Sequence, residues 1–249
     1  MSSYQIISLI LAGFAGGLAF GMTGFAYGVI VSLILLNFFP HQEVVFIIVL
    51  GGTILNLSAL PRFWSSIDLR GALPYLIGAT AGVPLGFFVL QSTDIESIKT
   101  FSIIFIFSYC VFALTQVKSK PFLFGERIGP FIDGIVGFLG GVVGGLSGLG
   151  PLLPSIWYGM RGHKKDVARG LTQVFGIYVQ GLTLTIFLLK GGIPLSSIPS
   201  LSPLIPAILL GSWLGLKLFD SMSTAFFKKI VIWFSLSGSM LMLGARFAK

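Results

Sequence analysis

Long apolar runs alternate with short polar ones along this chain. The apolar segments cover roughly residues 4–39, 43–60, 71–91, 98–117, 128–160, 166–189, 199–217 and 226–246. Runs of this length predict membrane-crossing helices, because a helix needs about 20 residues to traverse a hydrocarbon core of ~30 Å. Two runs do not fit that rule. At ~1.5 Å per residue, 4–39 would form a rod of ~54 Å, and 128–160 is too long by the same measure. Each is interrupted by glycines around a hydroxyl: Gly-Met-Thr-Gly-Phe at 21–25 and Gly-Leu-Ser-Gly-Leu at 145–149. Both long runs are therefore expected to break there and fold back, in legs of about 15–17 residues that fall short of a full span.

The positive residues favour the same reading. If all eight runs crossed simply, the sixteen Lys and Arg would divide evenly between the two sides. Cytoplasmic loops of membrane proteins collect positive charge. Folding both long runs back places Arg62, Arg70, Lys118, Lys120, Arg127, Arg161, Lys164, Lys165, Arg169, Lys217, Lys228 and Lys229 on one side, against Lys99, Lys190, Arg246 and Lys249 on the other. This puts the loops at 61–70, 118–127 and 161–169 in the cytoplasm and both termini outside. A half-depth hairpin and a pair of full crossings return the chain to the same side, so charge leaves that choice open.

The chain also repeats. At an offset of 124, Gly13, Phe14, Gly16, Gly17, Gly21, Thr23 and Gly24 meet Gly137, Phe138, Gly140, Gly141, Gly145, Ser147 and Gly148. Gly52 meets Gly176, and Asn56 meets Gln180. After a five-residue slip, Pro74, Gly82, Gly86 and Lys99 meet Pro203, Gly211, Gly215 and Lys228. The expected fold is an all-α polytopic membrane protein of two repeats, 1–120 and 121–249, integrated into one transmembrane domain. Each repeat is a glycine-broken hairpin followed by three transmembrane helices. Three crossings per half make the second repeat run opposite to the first, the inverted plan common in secondary transporters.

Composition narrows the chemistry. The chain of 249 residues is 55% hydrophobic and 10% charged, far below the quarter of a soluble domain. Its single cysteine, Cys110, excludes an intrachain disulfide. The net charge of +8 sits in short loops between spans, where it reads as a topology signal and as contact with the lipid bilayer rather than with nucleic acid. The N-terminus lacks the pattern of a removable signal peptide. No nucleotide-binding motif and no metal or cofactor site is expected.

The candidate site lies at the two breaks. Irregular backbone at membrane depth is tolerated only where protein or a water-filled cavity covers it. Thr23 and Ser147 are suited to cap the helices that follow. Helix N-termini attract anions, and glycine lets a backbone approach a ligand closely. The expected substrate-binding set is Gly21, Thr23, Gly24, Phe25, Gly145, Ser147 and Gly148, two helix starts facing each other near the midplane around one small anion. Asn56 and Gln180 either join that set or tie helices together. Arg169 and Gln173, with Thr172, lie near the inner end of a span as mouth or gating residues. Gly82/Gly86 and Gly211/Gly215 read as helix-packing pairs. Asp133 and Glu43 read as interfacial caps or, as the alternative, proton carriers, and His41 and His163 as loop residues. A rival reading takes "GLSG" at 145–148 as the nucleophile motif of a rhomboid-like intramembrane serine protease, which needs a histidine in hydrogen-bond reach. An anion channel differs from a carrier only in turnover.

At the repeated "GFAGGLAFGMTGF" and "GFLGGVVGGLSGLG", and at "ARGLTQVF" over 168–175, the chain resembles the sulfite exporter TauE/SafE family, also called toluene-sulfonate uptake permeases. The resemblance spans essentially the whole chain. It departs at Pro151, which follows Gly150 directly where the family has a richer glycine run. It implies transport of small organosulfur anions or sulfur oxyanions across the cytoplasmic membrane. A small anionic substrate, a coupled proton or sodium ion and an oligomer are the partners considered.

Overall fold

A computed structural model describes residues 3–115, 128–163, 165–190 and 201–221, with Trp233 and Leu236. The eighth apolar run, 226–246, and the expected cytoplasmic loop at 118–127 lie outside the described residues. The described elements are α1 (Ser3–Thr23), α2 (Tyr27–Leu35), α3 (His41–Phe63), α4 (Leu69–Ser92), α5 (Ile95–Thr115), α6 (Ile128–Ser147), α7 (Leu152–Met160), α8 (Lys165–Lys190) and α9 (Leu204–Ser221), with a 3-10 turn at Trp64–Ser66. No strand occurs among the described residues. Among the described residues, five helical segments are long and apolar enough to cross a membrane: Ser3–Thr23, His41–Ser66, Leu69–Ser92, Ile128–Ser147 and Asp166–Lys190. The protein is an all-helical, multi-pass membrane protein.

Both long apolar runs break at the glycine-hydroxyl stretches, but their legs are unequal. The first legs hold 21 and 20 residues and the second legs nine each. The expectation of two legs of 15–17 residues is corrected on this point. At ~1.5 Å per residue a first leg rises ~30 Å and a second only ~14 Å. The cause is the position of Gly24 and Gly148, which end the first helix late in the run.

The chain forms two compact units, and each draws on both halves of the sequence. One holds α1, α2, α3 as far as Gly51, α5 and α9; the other holds α3 from Gly52, α4, α6, α7 and α8.

In the first unit α1 packs along α9 through glycine. A Cβ added to Gly17 or Gly21 would run into the carbonyl oxygens of Ile208 or Ser212, and one added to Gly211 or Gly215 into those of Phe14 or Leu18. In the second unit α6 packs along α4 the same way. Gly137 and Gly145 lie against the carbonyls of Tyr75 and Val83, and Gly82 and Gly86 against those of Phe138 and Val142. A Cβ on Gly141 would stand 2.8 Å from Ala79 Cα. The two seams correspond. The offset of 124 carries Gly17 and Gly21 onto Gly141 and Gly145, and that of 129 relates Gly82 and Gly86 to Gly211 and Gly215, while Gly13 meets the Leu204 side chain where Gly137 meets the Tyr75 carbonyl. Small residues let backbones approach in lipid, where dispersion and close packing replace the hydrophobic effect as the driving force.

Candidate functional site

At the first break, α1 ends in a glycine cap. Gly24 takes φ 89°, the left-handed region that favours glycine, and its N–H donates to the Phe20 carbonyl at 2.7 Å. The Thr23 hydroxyl donates back to Ala19 O at 2.7 Å. It also accepts from the N–H groups of Ala26 at 3.1 Å and Phe25 at 3.4 Å. Phe25 sets its ring edge-on to Tyr109, with centroids 6.1 Å apart.

The second break repeats the cap. Gly148 takes φ 74° and its N–H donates to Gly144 O at 2.8 Å, while the Ser147 hydroxyl donates to Val143 O at 2.8 Å.

Thr23 and Ser147 are thus the last residues of α1 and α6, not the N-caps expected from sequence. The N-cap positions of α2 and α7 are Ala26 and Pro151, and neither makes a side-chain cap bond. The physical reason is the left-handed glycine after each hydroxyl. It closes the preceding helix and leaves the hydroxyl in the last turn, where it bonds the carbonyl four residues back. Thr23 still reaches forward to two amides. Gly21 and Gly145 sit one turn earlier, pressed into the seams described above.

Pro151 is accommodated by an exchange of aromatic rings. In the first unit Gly16 packs on the ring of Tyr27, which also covers Gly51 and donates to Ile47 O at 3.3 Å. Their counterparts at an offset of 124 are Pro151 and Phe175. In the second unit the ring against Gly140 belongs to Phe175, whose Cζ would stand 3.0 Å from an added Cβ, with Pro154 Cδ beside it at 3.1 Å. One ring fills the same place in each unit, supplied by α2 in the first and α8 in the second. Gly51→Ala is expected to cost about 1–3 kcal/mol, because a Cβ would enter the fully buried Tyr27 ring. Thermal denaturation in detergent measures it.

A polar stripe runs along α8. Arg169, Gln173, Gly176 and Gln180 recur at intervals of four, three and four and share one face. All three side chains are buried, Gln173 completely. The Arg169 guanidinium lies 5.0 Å over the Phe63 ring centroid, a buried cation–π contact. Thr172 donates to Ala168 O within its own helix. Further along, Asn56 of α3 meets the stripe. Its Nδ2 donates to Gln180 Oε1 at 2.9 Å and to Gly52 O at 2.8 Å. Gly52 makes room for the Gln180 amide, and Gly176 for that of Asn56. Asn56 and Gln180 are therefore tied to each other, while Asn56 Oδ1 and both polar atoms of Gln173 have no hydrogen-bond partner among the described residues.

A side-chain network centres on Asp133. Its Oδ1 accepts from the Tyr75 hydroxyl at 2.7 Å and from Trp157 Nε1 at 2.6 Å. Its Oδ2 faces an Arg161 guanidinium nitrogen at 3.4 Å. The carboxylate joins α4, α6 and α7, so its reading as an interfacial cap is corrected. The signal was present: Asp133 continues the spacing of four of Gly137, Gly141 and Gly145, on the face of α6 that meets α4. Glu43 does lie in the first turn of α3. His41 opens α3 and is buried, contrary to the loop expected, because α3 starts two residues before the apolar run. His163 is a loop residue beside the Tyr158 ring, and burial, then the Arg161 charge, holds its imidazole below the ordinary histidine range. The Ser147 hydroxyl is used on Val143.

The family model described as Sulfite exporter TauE/SafE covers residues 9–242. No curated protein and no solved structure matches.

Proposed function

The chain belongs to the sulfite exporter TauE/SafE family, and on that premise we propose that it is a secondary transporter for a small sulfur-containing anion such as sulfite or a sulfonate, working by alternating access. The observation that carries the reading is the pair of equivalent helix breaks, Thr23–Gly24 and Ser147–Gly148, inside the matched region. Each break starts a new helix, and first-turn amides without intrahelical partners attract an anion without a buried cation; in α7 the Leu152 N–H is used on Leu149 O and Pro154 carries none, which leaves that of Leu153. Gly24, Phe25 and Gly148 shape the two tips. Thr23 and Ser147 hold the hydroxyls that fix them, and Gly21 and Gly145 anchor them to the seams. Asn56, Gln180, Gln173 and Arg169 add polar contacts along α3 and α8.

Two inverted repeats, 1–120 and 121–249, fit this reading. The seams match at the repeat offsets, and the reciprocal contact of Gly52 and Asn56 with Gln180 and Gly176 has the form a twofold relation imposes. The charge distribution supports placement in the cytoplasmic membrane with both termini outside. An inside-negative potential opposes anion entry, so import needs a coupled proton or sodium ion whereas export runs downhill.

The test is sulfite flux in proteoliposomes. Wild-type protein is expected to pass sulfite well above protein-free vesicles. Thr23→Val and Ser147→Val should each lower the rate about tenfold, roughly the worth of one buried hydrogen bond, with folded yield checked by size exclusion. Wild-type flux at the level of bare vesicles overturns the proposal. So does full flux in the double variant.

A further inference from the structure

The two halves of the chain differ where one would expect them to agree. At an offset of 124 the α8 stripe Arg169, Gln173, Gly176 and Gln180 falls on Val45, Val49, Gly52 and Asn56 of α3. The last two pairs are alike in character and the first two are not. Val45 and Val49 are 1% and 0% exposed, against 6% and 0% for Arg169 and Gln173. The first half therefore serves as an internal control. A helix in the equivalent place packs with valine at both positions, so packing alone does not call for a guanidinium and an amide in α8.

Gln173 is the sharper anomaly. Neither its Oε1 nor its Nε2 has a hydrogen-bond partner among the described residues, and neither does Asn56 Oδ1. A buried polar group left unbonded is destabilising and calls for an explanation. Asn56 turns its nitrogen to two carbonyl oxygens, Gly52 O and Gln180 Oε1, which leaves Oδ1 as its unanswered end. Exchanging the two ends of Gln173 leaves its own balance unchanged. On this stripe, then, two carbonyl oxygens and one NH2 group await partners. An anion that only accepts hydrogen bonds answers the NH2 and turns its negative charge on the carbonyl oxygens. A bare cation answers the carbonyls and meets the Arg169 guanidinium one turn away on the same face. A solute with negative charge and its own O–H or N–H answers all three groups.

We propose that Gln173 and Asn56 select anions that carry a hydrogen-bond donor, such as a hydroxyl, an amine or a protonated oxyanion, over anions that only accept, with Arg169 supplying the favourable charge. This rests on the anion-transport reading and adds the class of anion. Binding leaves the amide groups paired for the right solute and unpaired for its apolar isostere. A site that hydrogen-bonds a hydroxyl discriminates far more strongly than one that only measures size.

Two monoanions of nearly equal size make the test: 2-hydroxyethanesulfonate, which carries a donor, and propane-1-sulfonate, which does not. Calorimetric titration of the purified full-length protein is expected to show the hydroxylated anion binding at least about tenfold tighter. Gln173→Val copies the first half, so it should fold, and it should melt no lower than wild type because an unbonded amide is gone. It is expected to weaken 2-hydroxyethanesulfonate binding more than propane-1-sulfonate binding and so to bring the ratio close to one. A wild-type ratio near one, or a preference that survives Gln173→Val, overturns the proposal while sulfite binding leaves the transport reading standing. Failure of sulfite and both sulfonates to bind overturns the transport reading and this inference together.

Discussion

Asp133→Leu is expected to destabilise the protein by about 3–5 kcal/mol, the range for removing one partner of a buried charged network. The wild-type carboxylate accepts from Tyr75 and Trp157 through one oxygen and faces Arg161 through the other. Leucine fills similar space and leaves three donors without their acceptor. They do not suffer equally. The Arg161 side chain retains 18% exposure and reaches water, whereas Tyr75 is 1% exposed and cannot. Most of the loss therefore falls on the seam between α4 and α6 and on the return of α7. Asp133→Asn keeps an acceptor and gives up the charge, so it should cost less than half as much. Tyr75→Phe, which removes one donor and leaves the carboxylate two others, should cost about 1 kcal/mol. Unfolding of purified protein in mixed detergent, followed by tryptophan fluorescence, gives the three midpoints. Equal midpoints for Asp133→Leu and wild type would show that the network holds nothing together.

The same residue shows how far sequence carries. Every described span was visible as an apolar run, because in lipid the backbone must bond internally and a long apolar stretch has little choice but helix. The two breaks were visible because a rod of 36 residues does not fit a bilayer. What the pattern did not show was how each break is built. Thr23 and Ser147 suit the start of a helix as well as its end. The choice fell to Gly24 and Gly148, whose positive φ is a fact of tertiary packing. Asp133 was legible as a polar residue and illegible as a hub, since Tyr75, Trp157 and Arg161 are remote in sequence and only the fold brings them together. Asn56 and Gln180 were recognised as equivalent positions, yet equivalence does not predict that the two bond each other. Gln173 stood out by type alone; its significance comes from having no partner among the described residues, a property of the packed state. The GxxxG pairs were read correctly because glycine spacing on a helix has one inexpensive physical use in lipid, close approach. The exchange between halves, with α1 seated on α9 and α4 on α6, was beyond any local pattern. The repeat offsets say which residues correspond, not which of them touch.

Those seams set the other large effect. Gly145→Ala and Gly21→Ala are each expected to cost about 3 kcal/mol or more, the upper end for overpacking. Each added methyl would land on a backbone carbonyl, Val83 O in one seam and Ser212 O in the other. A flexible side chain can rotate away from a new methyl; a helical carbonyl moves only if the whole helix moves. The substitution also works against an opposite tendency, since Ala is favoured over Gly in a helix by roughly 0.5–1 kcal/mol. Two helical glycines isolate that tendency. A Cβ on Gly159 or Gly181 would meet nothing within 4 Å, so Ala there should raise stability by that amount. The four variants predict a sign pattern, two losses and two gains, from one chemical change. Because Gly21 and Gly145 occupy equivalent places, their losses should agree to within about 1 kcal/mol, whereas a generic aversion to bulk in small-residue helices would give all four variants the same sign. Melting temperatures of the four in one detergent decide it. A neutral Gly145→Ala would mean that α6 and α4 are not in backbone contact, and the correspondence of the two seams would fall with it.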